Sequence, residues 1–107
     1  MFRDPIENLA NAIIEQAVLD YRKIPIRRQH LLAKLQKAEE RLNKEMATKD
    51  QERIDRATRR RDSLKGKVTL VDADQRSIER FFHSEWYRML TKVDGDMILK
   101  ALREEQK

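Results

Sequence analysis

Apolar residues along the first stretch of the chain recur at helical steps: Ile6, Leu9, Ala10, Ile13, Ala17 and Tyr21, with Ile14 and Val18 widening the stripe. Asp4 stands as an N-cap before Pro5 at the first helical position, where proline's missing donor costs nothing. Pro25 disfavours helical geometry at Ile24, so this helix is predicted to run from 4 to 23. A second helix from Arg27 carries a narrow seam of Leu31, Leu35, Ala38, Leu42 and Met46. Continuing that register would bring Lys49 or Asp50 and then Arg53 into the seam, whereas Ile54, Ala57 and Leu64 define a new one. Thr48 followed three residues later by Gln51 fits a capping box. A break at 47–50 is therefore predicted, with 27–46 folded back on 51–65 as an antiparallel, coiled-coil-like hairpin. An unbroken helix over 27–65 is the alternative, since neither Gly nor Pro marks the turn.

Further on, Gly66 is placed to cap the third helix, and the short β-branched run 67–71 reads as an extended connector. Asp72 or Asp74 would cap a fourth helix over 73–92, where Ile78, Phe82, Trp86, Met89 or Leu90, and Val93 share the core-facing line. The cluster Phe81, Phe82, Trp86 and Tyr87 reads as core rather than as a binding surface; Phe81 and Tyr87 lie off that line and are the two that would be exposed for contacts, if any are. Asp94 can cap once more, opening a closing helix over 95–104. The fold class predicted is all-α. A small aromatic-cored helical module built from both termini, 1–25 and 72–107, would carry a projecting basic hairpin and connector, 26–71, within a single domain of 1–107.

Composition sharpens this division. Residues 26–71 hold fourteen basic and seven acidic side chains, a surplus of +7, while the two ends together are −2, which gives the net +5 of the chain. Tyr21, Phe81, Phe82, Trp86 and Tyr87 all lie in the ends. With 40% of residues charged and 39% hydrophobic, a deep spherical core is excluded and helices with one buried stripe are favoured. Zero cysteines exclude disulfides and thiolate metal sites. The N-terminus has no apolar stretch of secretory length, and no run approaches the ~20 residues that span a bilayer. A cytoplasmic protein without membrane association is expected.

Catalytic chemistry finds no footing. His30 and His83 are far apart and without metal-pair spacing, Asp94-Gly95-Asp96 lacks the rest of a calcium loop, and two glycines cannot build a phosphate-cradling loop. No catalytic residue, metal or cofactor is expected. The candidate binding residues are the basic run Arg53, Arg56, Arg59, Arg60, Arg61, Lys65 and Lys67, joined by Arg27 and Arg28 on the partner helix, with Lys34, Lys37, Arg41 and Lys44 alongside. Arginine suits phosphate because its planar fork donates two parallel hydrogen bonds. Set against this is a merely solvated helix face, in which Glu52 pairs with Arg56 and Asp55 with Arg59. Arg61 falls on the apolar seam, so it either snorkels past the edge or meets an acidic partner.

Two segments, 11–22 (ending Asp20-Tyr21-Arg22) and 79–95 (with Phe81-Phe82, Ser84, Trp86 and Asp94-Gly95), resemble small, mostly uncharacterised proteins of prophages and conjugative elements of Gram-positive bacteria. The basic stretch between them departs from that pattern as an inserted elaboration. The resemblance implies a host bacterial cytoplasm and permits an anti-CRISPR-type inhibitor of a host defence nuclease. The residues themselves point to a non-catalytic protein acting stoichiometrically through the basic hairpin. Glu39, Glu40 and Glu45 argue against a purely phosphate-tracking surface and direct the expectation to a nucleoprotein or nucleic-acid-handling host protein. A direct DNA- or RNA-binding regulator and an oligomerisation module, such as a homodimer, are the alternatives.

Overall fold

The computed structural model describes the backbone of residues 5–107 and the side chains from residue 8 onward. The expected N-cap Asp4 and the stripe residue Ile6 lie outside the described residues. The protein is all-α: α1 Pro5–Thr48, α2 Gln51–Phe82, α3 Glu85–Leu90 and α4 Gly95–Glu105, with no strand among the described residues. No described helix is long and apolar enough to cross a membrane.

Three expected helix ends are corrected. α1 passes through Pro25, and α2 passes through Gly66 and the supposed connector 67–71. Regularly spaced burial explains both continuations. On α1, Tyr21 and Ile24 are buried on either side of a three-residue step. On α2, Leu64 and Val71 are buried seven residues apart, with Val68 half-buried between them. Side chains that keep helical spacing reward a continuous helix more than one proline or one glycine opposes it.

The chain divides into two compact units, one comprising α1 up to Pro25 with Asp74–Lys107, the other Ile26–Ala73. The first is cored by Tyr21, Phe82, Tyr87, Leu99 and Leu102, with Ile14, Ala17, Val18, Ile78, Phe81 and Ile98 packed against them. Phe82 and Tyr87 meet edge to face at 5.4 Å, and Phe81 packs on both. Around this core, Glu79 accepts from Tyr21 Oη at 3.4 Å and from Arg103 Nη2 at 2.7 Å, while Arg22 grips Glu105 with two bonds of 2.9 Å. His83 and Asp96 are hydrogen-bonded, which holds the Asp96 carboxyl below the ordinary aspartate range.

The aromatic assignments change places. Trp86, expected in the core, is 56% exposed, and Tyr87, named with Phe81 as the aromatic to be exposed if any is, is 1% exposed. Phe81 is half-buried against the core. The cause is a break that the periodicity over 73–92 did not include. After Phe82 the helix stops, and Ser84 caps a new one, its Oγ accepting from Tyr87 N at 3.1 Å and donating to the Phe81 carbonyl at 2.6 Å. With the register restarted, position 87 turns inward and 86 outward. Burial leaves the Tyr87 hydroxyl without a hydrogen-bond partner and, together with the nearby Asp94 charge, pushes its pKa up. Tyr87→Phe removes that orphan and is expected to stabilise the protein by up to about 1 kcal/mol. A thermal melt checks it; a clearly lower Tm would mean that the hydroxyl is bonded after all.

Candidate functional site

Within Ile26–Ala73 the two long helices form an antiparallel pair joined at Lys49 and Asp50. Lys49 adopts a left-handed conformation (φ 58°), which reverses the chain without glycine. Asp50, not Thr48, caps α2: its carboxylate accepts from Glu52 N at 3.1 Å and Arg53 N at 3.4 Å. Thr48 Oγ1 instead donates to the Glu45 carbonyl at 2.6 Å and accepts from Asp50 N at 3.3 Å, which closes α1. The turn is thus a hairpin, as the failure of register at 47–50 indicates.

The seam positions of the pair, each buried or half-buried, keep alternating steps of three and four. On α1 they are Arg28, Leu31, Leu35, Ala38, Leu42 and Glu45; on α2 they are Ile54, Ala57, Arg61, Leu64, Val68 and Val71. This is the spacing of a coiled-coil seam. The expected seam residue Met46 is 57% exposed, and Glu45 occupies its place at 9% exposure.

Three seam positions are ionic. Arg28 donates twice to Asp72, at 2.8 and 3.1 Å. Arg61 stays 29% exposed at its side chain and turns its guanidinium onto the adjacent Asp62 at 3.0 Å, so it snorkels and meets an acid at once. Glu45 Oε1 accepts from Arg41 Nε at 2.9 Å, and its Oε2 is buried without a partner.

The residue immediately before each seam residue sets the chemistry of one edge. On α1 these are Arg27, His30, Lys34, Lys37, Arg41 and Lys44; on α2 they are Arg53, Arg56, Arg60, Ser63, Lys67 and Leu70. Five Lys or Arg on α1 and four on α2 make nine of twelve positions basic, and none is acidic. At about 100° per residue, preceding positions share one flank of each helix, and antiparallel pairing brings the two flanks together. The clefts of this unit show the meeting directly. One is lined by Arg41, Arg53, Arg56 and Arg60, the next by Lys34, Lys37, Arg41 and Arg60, and a third by Arg27, His30, Lys67 and Leu70. Cations therefore face cations along the edge.

The opposite edge, formed by the residues that follow the seam, has the contrary balance. It holds Glu39, Asp55, Asp62 and Asp72 against Lys65 alone. Among the nine cations of the first edge, Arg41 pairs with Glu45 and Arg53 with Asp50 at 3.6 Å. Lys34, Lys37, Lys44, Arg56, Arg60 and Lys67 form no ion pair with the described residues. The pairings of Glu52 with Arg56 and Asp55 with Arg59 do not form; Asp55 accepts from Gln51 Nε2 at 2.8 Å instead.

Of the sequence candidates, Arg27, Arg53, Arg56, Arg60 and Lys67 belong to the basic edge. Arg28 and Arg61 sit in the seam, Arg59 on the outer face two residues past Ala57, and Lys65 on the opposite edge. Tyr87 is removed from the candidates by its burial. Lys34, Lys37 and Arg41, placed alongside the candidates by the sequence, line the clefts, and the site gains Glu45, whose place three residues after Leu42 is the signal that marks it. Glu39 and Glu40 lie one and two residues past the buried Ala38, which turns them away from the basic edge. Among the described residues no group of three His, Cys, Asp or Glu could hold a metal ion. Comparison with protein families, curated proteins and solved structures finds no match to this chain.

Proposed function

We propose that the protein is a non-catalytic, stoichiometric binder of nucleic acid, free or within a nucleoprotein, and that the basic edge of the Ile26–Ala73 hairpin is the contact surface. One observation carries this reading. Charges flanking a coiled-coil seam stabilise a hairpin when opposite signs face each other, and here Lys34, Lys37 and Arg41 face Arg60. An arrangement that costs the free hairpin stability is matched to a polyanion, which supplies the missing countercharge. From Arg27 to Lys44 the edge extends about 25 Å at ~1.5 Å per helical residue, long enough to follow roughly seven phosphates of a strand. With Glu39 and Glu40 turned away, Glu45 is the one of the three glutamates that lines a cleft of the basic edge.

The test is a salt titration of binding to labelled duplex and single-stranded oligonucleotides, read by fluorescence anisotropy. Six phosphate contacts predict a slope of log K against log salt of about −5 on duplex, and a loss near ~10³ between 50 and 200 mM. A shallow slope, or no binding at 50 mM, would reject the reading and leave an acidic protein face, such as that of a nucleic-acid-handling enzyme, as the fitting partner.

A further inference from the structure

The cleft nearest the hairpin turn, about 520 Å³, is lined by Arg41, Glu45, Arg53, Arg56, Ala57 and Arg60. Four guanidinium groups there suit an anion. Glu45 does not. Its carboxylate sits at a seam position where an apolar residue would serve the hairpin better, and it is nine-tenths buried. One oxygen is held by Arg41, and the other finds no donor despite the arginines around it. A buried acceptor left unmade costs stability, and a bare phosphate would aggravate the cost by bringing a second negative charge beside it. The ligand that completes this cleft must carry an anionic group for the arginines and a hydrogen-bond donor for the carboxylate.

A nucleotide carries both. We propose, resting on the nucleic-acid reading above, that this cleft takes one unstacked nucleotide. Its phosphate lies on Arg53, Arg56 and Arg60, and the amino group of its base donates to Glu45. Arg56 and Arg60 hold no ion pair, so they can move onto the phosphate without breaking an internal contact. Guanidinium planes also stack on base faces, which suits a splayed, single-stranded base. Carboxylates accept from the N4 amino group of cytosine, whereas thymine and uracil present O4, an acceptor that would face Glu45 with no proton between them. A paired base is not the occupant, because two packed helices, each ~10–12 Å across, exceed the ~12 Å major groove in which a duplex displays its amino groups.

The experiment compares eight-residue deoxycytidine and thymidine oligomers by anisotropy at pH 8 and 100 mM salt. The deoxycytidine oligomer is expected to bind roughly tenfold more tightly. An oligomer of 2-pyrimidinone, which is cytosine without its amino group, should bind as weakly as thymidine. Glu45→Gln, close to isosteric and free to turn its own donors to the ligand, should bring the two natural oligomers within about twofold while the salt slope is kept. Equal binding of cytidine and thymidine by the native protein would overturn the proposal and leave the nucleic-acid reading standing, as would retention of the preference by a folded Glu45→Gln variant. Absence of binding by every oligomer would overturn this proposal, and absence of binding by the labelled duplex as well would defeat both. The oligomer comparison needs no variant, so a folding defect in Glu45→Gln leaves it decisive.

Discussion

Arg60→Glu combined with Lys67→Glu should reduce nucleic-acid affinity at least 100-fold at 100 mM salt and, in the same protein, raise the melting temperature. Both residues stand immediately before a seam residue and face cations of α1: Lys34, Lys37 and Arg41 across from Arg60, and Arg27 across from Lys67. Each reversal removes one charge-assisted phosphate contact of about 1.5–3 kcal/mol and puts a repulsive charge in its place. Within the free hairpin the same change converts a like-charge juxtaposition into an attractive one, a gain of a few tenths of a kcal/mol per pair. The two expected shifts have opposite signs, which separates a contact surface from a structural one. Anisotropy and a thermal melt of the double variant read them together. Unchanged affinity would make the edge a solvated face, and a lowered Tm would mean that the cations support the hairpin.

Gly95→Ala is expected to be the most damaging small substitution, with a loss of about 1–3 kcal/mol or more. Gly95 is buried at the first position of α4, directly after the capping Asp94, whose carboxylate accepts from Asp96 N at 2.9 Å. A Cβ there would stand 2.0 Å from the Phe82 carbonyl oxygen and 3.2 Å from the Tyr87 ring. The carbonyl is backbone at the end of α2 and cannot rotate aside, so α4 must back away from the Phe82–Tyr87 core or the cap must open. Circular dichroism melts should show a Tm lower by roughly 4–8 °C for each kcal/mol lost. Gly66→Ala is the control, because nothing lies within 4 Å of its added Cβ. An unchanged melt for Gly95→Ala would refute the close approach.

The glycines also show how far the sequence carried the fold. Both looked like helix punctuation, but Gly66 lies exposed inside α2 and only Gly95 marks a boundary. Local signals of that kind lose to burial at regular steps, which is why Pro25 and Gly66 end nothing here. The hairpin turn was legible for the same reason: the seam register fails after 46, and no burial pattern bridges the gap. Trp86 and Tyr87 were misplaced because a periodicity count assumes one helix, whereas Ser84 restarts it. Tyr87 N on Ser84 Oγ is a capping contact that the sequence permits but does not compel. In the site, the arginine run was visible as composition, yet its division among edge, seam and outer face depends on which residues are buried. Taking Met46 for the seam residue hid Glu45, since a one-residue slip exchanges an exposed flank for the interior.

The uneven sharing of charge between the two edges has a kinetic meaning. Nine cations on one side, and four acids against a single lysine on the other, give the hairpin a dipole across its long axis. In the field of a polyanion such a rod experiences a torque before it touches anything, so it arrives with the cationic side leading and fewer encounters are wasted on wrong orientations. Moving an acid to the cationic side would blunt that alignment even with the net charge held constant, and the loss would fall on the association rate rather than on the lifetime of the complex.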